Sequence, residues 1–293
     1  MVVQQHGRGG GAAVAAAALV MWGATGCADG GAAADDQAPE DAVATVHQAA
    51  ATLESAGSAK ARTAMEMATG GTRVTIRGQG TYDFKARVGQ LKVTLPQEPS
   101  GASGRRPITE LLAPGALYMK NRGAGVPADK WVRVDTTTLS DGNLVTGGVT
   151  DPMAAAELLR GARAVTFVGK TQLAGTSVRH YRGTTDIGRA AKAASEQNQG
   201  ALLAAAKGFS KRGVSFDAYL DNEGRLRKVR HRFQFTQGGE AGASAGGRAG
   251  EVEAEVEVAS TTLLYGFGTP VNASLPAADD IFAGKIAEEW EAG

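Results

Sequence analysis

Apolar residues along the chain change period once. From Glu40 to Ser55 they recur at helical spacing: Val43, Val46, Ala50 and Leu53 share one face, Glu40 and Asp41 occupy the first turn, and Gly57 follows the end. That pattern predicts one amphipathic helix. Beyond it the period drops to two. Ala61, Thr63, Met65 and Met67 alternate with Arg62, Ala64 and Glu66; Val74 and Ile76 with Arg73, Thr75 and Arg77; Tyr82 and Phe84 with Asp83; Leu91, Val93 and Leu95 with Lys92 and Thr94. Strict alternation of this kind predicts antiparallel strands with one wet and one apolar face. Shorter runs at Ala116–Lys120 and Lys130–Asp135 read the same way.

Asp151-Pro152 to Arg160 predicts a short helix, with proline in its first turn and Leu158-Leu159 facing inward. Strands resume at Ala164–Lys170 and Ser177–Arg182. Ile187–Phe209 is Ala-rich and helical in pattern, with an expected interruption at Gly200. Val214–Leu220 leads through the turn Asp221-Asn222-Glu223-Gly224 into Arg225–Phe235, where Val229, His231, Phe233 and Phe235 share a face opposite Lys228, Arg230 and Arg232. After a glycine-rich stretch, Glu251, Glu253, Glu255 and Glu257 alternate with Val252, Ala254, Val256 and Val258. A basic face beside an acidic one suggests that these two strands pair charge to charge. Ser260–Asn272 closes the sheet, and Ala278–Glu289 predicts a last short helix.

The first residues obey a different rule. Gly11–Trp22 is apolar and follows Arg8. At about 12 residues it is too short for a bilayer span, which takes about 20, but it suits the core of a secretory signal. Ala24-Thr25-Gly26-Cys27 then resembles a lipobox, in which the thiol receives lipid and the signal is cut just before it. The alternative is an ordinary secretory signal cut at an A-x-A-like site. Cys27 is the single cysteine, so no internal disulfide can form and the lipid would consume the thiol. The expected organisation is a signal peptide over 1–26, a lipidated flexible tether over 27–39, and one globular domain over 40–293.

Composition narrows the function. Hydrophobic residues are 43% and charged residues 21% of the 293, as in a folded body. Arg8 is the sole charged side chain before Ala28, so the rest of the chain is electrically neutral and offers no field for nucleic acid. No G-x-S-x-G elbow or phosphate-binding loop occurs. Four histidines without a partner at ligand spacing give no metal site, and His180 and His231 read as core or rim residues. No catalytic residue and no cofactor are expected.

The order of elements resembles the LppX/LprG-type lipoproteins of actinobacteria, which share the fold of the LolA and LolB lipoprotein carriers. The matching runs are Leu117-Tyr118-Met119-Lys120 with Lys130-Trp131-Val132, Asp151-Pro152 with Leu158-Leu159, and Val168-Gly169 with His180-Tyr181. They continue with Ala218-Tyr219-Leu220-Asp221, Gly224-Arg225-Leu226, and Tyr265-Gly266-Phe267-Gly268-Thr269-Pro270-Val271, so that the likeness spans Asp41 to Ile281. The resemblance implies an α+β body: a large curved antiparallel sheet, or half-barrel, wrapped around helices, with an apolar hollow for acyl chains. Candidate lining residues are Met65, Met67, Val74, Ile76, Leu91, Val93, Phe167, Phe216, Phe233 and Phe235. The expected partners are a lipid or acylated ligand and, through Cys27, the outer face of the cytoplasmic membrane. A filled half-barrel acting as an envelope sensor or protein-interaction module is the alternative.

Overall fold

The structure, a computed structural model, describes residues 39–283 apart from 70–71, 97–105, 124, 147–149 and 237–254. The signal, the lipobox with Cys27, the tether and Glu251–Ala254 therefore lie outside the described residues.

Two helices, α1 (Pro39–His47) and α2 (Ala49–Ala56), precede six strands: β1 (Ser58–Thr69), β2 (Thr72–Asp83), β3 (Val88–Thr94), β4 (Ile108–Ala113), β5 (Ala116–Lys120) and β6 (Trp131–Asp135). The helix α3 (Pro152–Leu158) follows, then β7 (Ala162–Leu173), β8 (Thr176–Asp186), α4 (Ile187–Ala193), α5 (Glu196–Gly208), β9 (Gly213–Asp221), β10 (Leu226–Thr236) and β11 (Glu255–Tyr265). The eleven strands form one sheet in the order β6-β5-β4-β3-β2-β1-β11-β10-β9-β8-β7. Every neighbouring pair is antiparallel. The chain thus meanders outward from β1 to one edge, crosses to the other edge, and meanders back until β11 joins β1 at the centre.

The crossing connection and the helices serve one face of the sheet. Leu53, Met153, Leu158, Ala190 and Leu202 share a single core with Met65, Leu91, Phe216 and Phe233. Each such fully buried large side chain contributes roughly 1.5–3 kcal/mol of transfer free energy. This is the expected α+β architecture, a curved antiparallel sheet with helices on its inner side. Asp151 caps α3, accepting hydrogen bonds from the N–H groups of Met153 (2.7 Å) and Ala154 (2.9 Å), with Pro152 in the first turn.

Several local expectations change. The first helix is divided at Gln48, although Gln48 N–H still donates to Ala44 O and Thr52 N–H to Gln48 O, so the backbone bonds run through. The long Ala-rich stretch breaks at Ala194-Ser195, where both residues are extended, and not at Gly200. Gly200 lies inside α5, where a Cβ would sit 3.0 Å from Thr137 Cγ2. The strand β4 has no counterpart in the sequence reading. The last strand ends at Tyr265, and within the described residues the last helix is only a 3-10 turn, Ala278–Asp280.

The two rims of the sheet differ. At β6, Ile281 forms a parallel bridge with Trp131, and Phe282 N–H donates to Trp131 O at 2.8 Å. At β7, register shifts between Ala162 and Ala164 and between Phe167 and Gly169 interrupt the pairing with β8.

Candidate functional site

Strand register turns the alternating apolar residues into rows across the inner face. Phe233, Val258, Met67 and Val74 are opposite one another on β10, β11, β1 and β2. The next row holds Phe216, His231, Ser260, Met65 and Ile76, and the one after it Val229, Thr262, Thr63, Gly78, Val93 and Ile108. A further row runs Leu264, Ala61, Gly80, Leu91, Glu110, Met119 and Val132. Directly opposite side chains have Cβ atoms about 5 Å apart, so each row is a contact line.

Of the sequence-derived candidates, Met65, Ile76, Leu91, Val93, Phe216 and Phe233 are buried in the core, Met67 and Phe167 are half-buried against it, and Val74 is half-buried. Phe167 stands apart from the other eight near the β7 edge, its ring 5.6 Å from that of Tyr181. Phe235 lies on β10 opposite Val256, and its side chain is outside the described residues, as is Cys27.

Cover over this face is uneven. Among the described residues the main helix-to-strand packing falls on β7, β8 and β10. Phe209, just after α5, sets its ring 5.4 Å from Phe233. The irregular segments 121–130 and 136–146 supply Val126, Leu144 and Val145 to the same core. The connection is pinned to the centre of the sheet by Thr150, whose hydroxyl lies 2.5 Å from Ser260 Oγ and donates to Leu144 O at 2.8 Å.

Side chains around the β2–β3 turn hold the helices to the sheet. Tyr82 donates its hydroxyl to both oxygens of Asp151, at 3.2 and 3.0 Å. Burial and the facing Asp151 carboxylate push the Tyr82 phenol well above its usual range, and burial raises Asp151 against the pull of its hydrogen bonds. The Tyr82 ring lies over Gly89, where a Cβ would come within 2.3 Å of Tyr82 Cδ2. Arg87, itself buried, pairs with Glu54 on α2, donates to Ser195 Oγ at 2.6 Å, and stands 3.6 Å from the wholly buried Glu157 on α3.

Polar groups also face inward without a protein partner. Thr63 Oγ1, Thr262 Oγ1, His231 Nε2 and both carboxyl oxygens of Glu110 are buried and lack one among the described residues. Burial depresses His231 to about 3, leaving the imidazole neutral. Burial lifts Glu110 to about 8, with Arg122 pulling weakly the other way. Sequence reading placed His231 in the core or rim, and the core is where it sits. It missed Glu110, although Ile108, Glu110 and Leu112 share one parity of β4 and set an acid on an apolar face.

The outer face carries charge. Asp217 on β9 accepts hydrogen bonds from Arg182 (3.0 Å) and Arg232 (2.9 Å), and bonds His180 at 2.8 Å. These partners outweigh burial and hold its carboxyl at about 2. The expected charge pairing of β10 with the glutamates of β11 is corrected here. The strands are neighbours, but Arg230 faces Thr261, while Glu257 and Glu255 face Gln234 and Thr236. The register slides the acidic segment past the arginines, and Arg230 instead reaches Glu66 on β1 at 3.0 Å. Among the described residues no His, Cys, Asp or Glu cluster could hold a metal ion, and no helix is long and apolar enough to cross a membrane.

No protein-family model matches the chain, and no curated protein matches it. Solved structures do. The lipoprotein LppX of Mycobacterium tuberculosis is 10% identical with a TM-score of 0.48, covering 81% of this chain and 100% of its own. LprF of Mycobacterium bovis is 12% identical with a TM-score of 0.40, over 83% and 100%. A LolA-superfamily protein of Nitrosomonas europaea is 11% identical with a TM-score of 0.31, over 77% and 94%. The chain is similar in fold to these solved structures among others.

Proposed function

We propose that this protein is a non-catalytic envelope lipoprotein, anchored through lipid on Cys27 to the outer face of the cytoplasmic membrane, that binds or carries a hydrophobic acyl ligand against the inner face of its sheet. The observation that carries the reading is the inner face itself. Largely apolar rows cross from β10 to β5, while among the described residues the main helical packing falls on β7, β8 and β10. An apolar concave surface with few polar groups is the form that hydrophobic ligand sites take. Met65, Met67, Val74, Ile76, Leu91, Val93, Phe216, Phe233 and Phe235 would line it, with Phe167 at its margin.

The test is direct. Protein made with its own N-terminus in a bacterium that processes lipoproteins, then extracted, should give a diacylglyceryl-modified Cys27 by mass spectrometry. Cys27→Ala should release it from the membrane fraction. The released protein should still carry extractable acyl lipid or load a fluorescent fatty chain. An unmodified Cys27 would defeat the anchor, and failure to load any chain would defeat the carrier.

A second reading is favoured by one observation: Phe216 and Phe233 are fully buried, with Phe209 laid on the latter. In that reading the hollow is filled and the protein works through its outer surface. An unloadable core together with a specific protein crosslink from the outer face of β8–β10 would select it.

A further inference from the structure

Glu110 is the anomaly of the inner face. It occupies the middle of β4, with Leu91 opposite on β3, Met119 opposite on β5, and Ile108 and Leu112 two residues away along its own strand. All four are buried, and Glu110 itself has no exposure. Neither carboxyl oxygen has a hydrogen-bond partner among the described residues. Among the described residues Arg122, in the β5–β6 connection, is the charge that bears on it, and it only tempers the effect of burial. A buried carboxyl without partners is costly, and native proteins retain such groups chiefly where something else completes them.

We propose that Glu110 is the specificity-determining contact of the ligand site, completed by an alcohol hydroxyl on an uncharged, acyl-chain lipid. This rests on the inner face binding lipid at all. The chemistry follows from the two bare oxygens. In this apolar setting the carboxyl is protonated at neutral pH, so it offers one O–H donor and one carbonyl acceptor. An alcohol hydroxyl accepts from the first and donates to the second. An ester carbonyl can only accept, and it leaves one Glu110 oxygen bare. A phosphate brings negative charge to a site that already disfavours it, and an ammonium would require burying an ion pair with no other hydrogen bonds to support it. The β5–β6 connection that carries Arg122 is irregular, not helical, and it supplies Val126 to the core.

The experiment compares two lipids with the same chain and different polarity: 1-monooleoylglycerol, which has hydroxyls, and methyl oleate, which has only the ester. Each competes with a neutral pyrene-labelled hydrocarbon for the full-length protein and for Glu110→Met and Glu110→Gln. Leaving a buried polar group unpaired typically weakens binding by on the order of tenfold or more. The wild type should therefore prefer monooleoylglycerol by about that factor. Glu110→Met should lose the preference while still binding methyl oleate. Glu110→Gln, whose amide also donates and accepts, should keep most of it. Equal binding of both lipids by the wild type, or an undiminished preference in a folded Glu110→Met, overturns the assignment and leaves the carrier intact. Binding of neither lipid overturns the carrier and the assignment with it. Should Glu110→Met fail to fold, the wild-type preference and its retention in Glu110→Gln decide.

Discussion

Replacing Glu110 by glutamine should change how stability depends on pH, and the structure sets both sign and size. In the folded protein burial carries this carboxyl from its ordinary 4.5 to about 8. Below pH 4.5 the group is protonated in the folded and unfolded chain alike, and stability is complete. As pH rises from 4.5 to 8 the unfolded chain ionises to a hydrated carboxylate while the folded chain resists, and stability is lost progressively until the folded group ionises as well. At about 1.4 kcal/mol for each pH unit of displacement, the full loss is at most about 5 kcal/mol. Water entering the site would reduce it, so we expect about 2–5 kcal/mol. Glutamine cannot ionise, so Glu110→Gln should hold steady where the wild type weakens. Urea unfolding of both proteins at unit steps between pH 4 and 9 measures the difference, provided the slopes with denaturant agree. If the two stabilities move in parallel over that range, the carboxyl is not isolated from water and the reasoning fails.

Other perturbations follow from the same contacts. Arg87→Met leaves the buried Glu157 with Arg160, 2.5 Å away, and the Ser195 N–H at 3.4 Å, and should cost about 3–5 kcal/mol in urea unfolding; a loss below 1 kcal/mol would show that the clamp is idle. Gly89→Ala should push the Tyr82 ring off its seat and cost about 1–3 kcal/mol, read as a lowered Tm with altered near-UV tyrosine dichroism; an unchanged Tm would contradict the contact. Arg230→Glu should lose less than about 1 kcal/mol, as half-exposed ion pairs do, and Glu66→Lys should restore it in a double-mutant cycle; restoration by Glu257→Lys instead would refute the register. His231, held at about 3 against an ordinary 6.5, contributes stability above pH 6.5 that is lost as pH falls toward 3. His231→Phe should therefore flatten acid unfolding within that window, and a variant as acid-sensitive as the wild type would rule the group out.

Strands with one wet face were legible in the sequence, because charge alternating with apolar side chains marks them without any knowledge of neighbours. β1, β2, β3, β9 and β10 are of this kind. β4 was not, because both its faces are covered: Ile108 and Leu112 enter the main core, while Leu111 joins Tyr118, Trp131 and Ile281 on the other side. Burial on both faces erases the period. Register was equally hidden. Facing runs of arginine and glutamate suggest a pairing, but the slide between β10 and β11 is fixed by the apolar rows, and exposed charges are worth too little to shift them. Nothing in the local pattern said that β11 would pair with β1. The apolar candidates were found because they alternate; Glu110 was overlooked because a carboxylate in a sequence is read as solvated until a third dimension surrounds it. The Asp217 hub draws on three strands and has no linear signature at all.

An open sheet of this width has two sides on which a further strand from another molecule could zip, and the molecule closes each by a different device. On one, the bridge from Ile281 and the Phe282 amide use up hydrogen-bonding capacity that β6 would otherwise present. On the other, the extra residue near Val168, half-exposed and followed by Gly169 at φ +146°, throws the backbone out of a straight template. Both are recognised defences against strand-by-strand polymerisation. Molecules crowded side by side in one plane would meet rim to rim far more often than in free solution, and a chain shortened before Ile281 would bring an unguarded rim to that crowd.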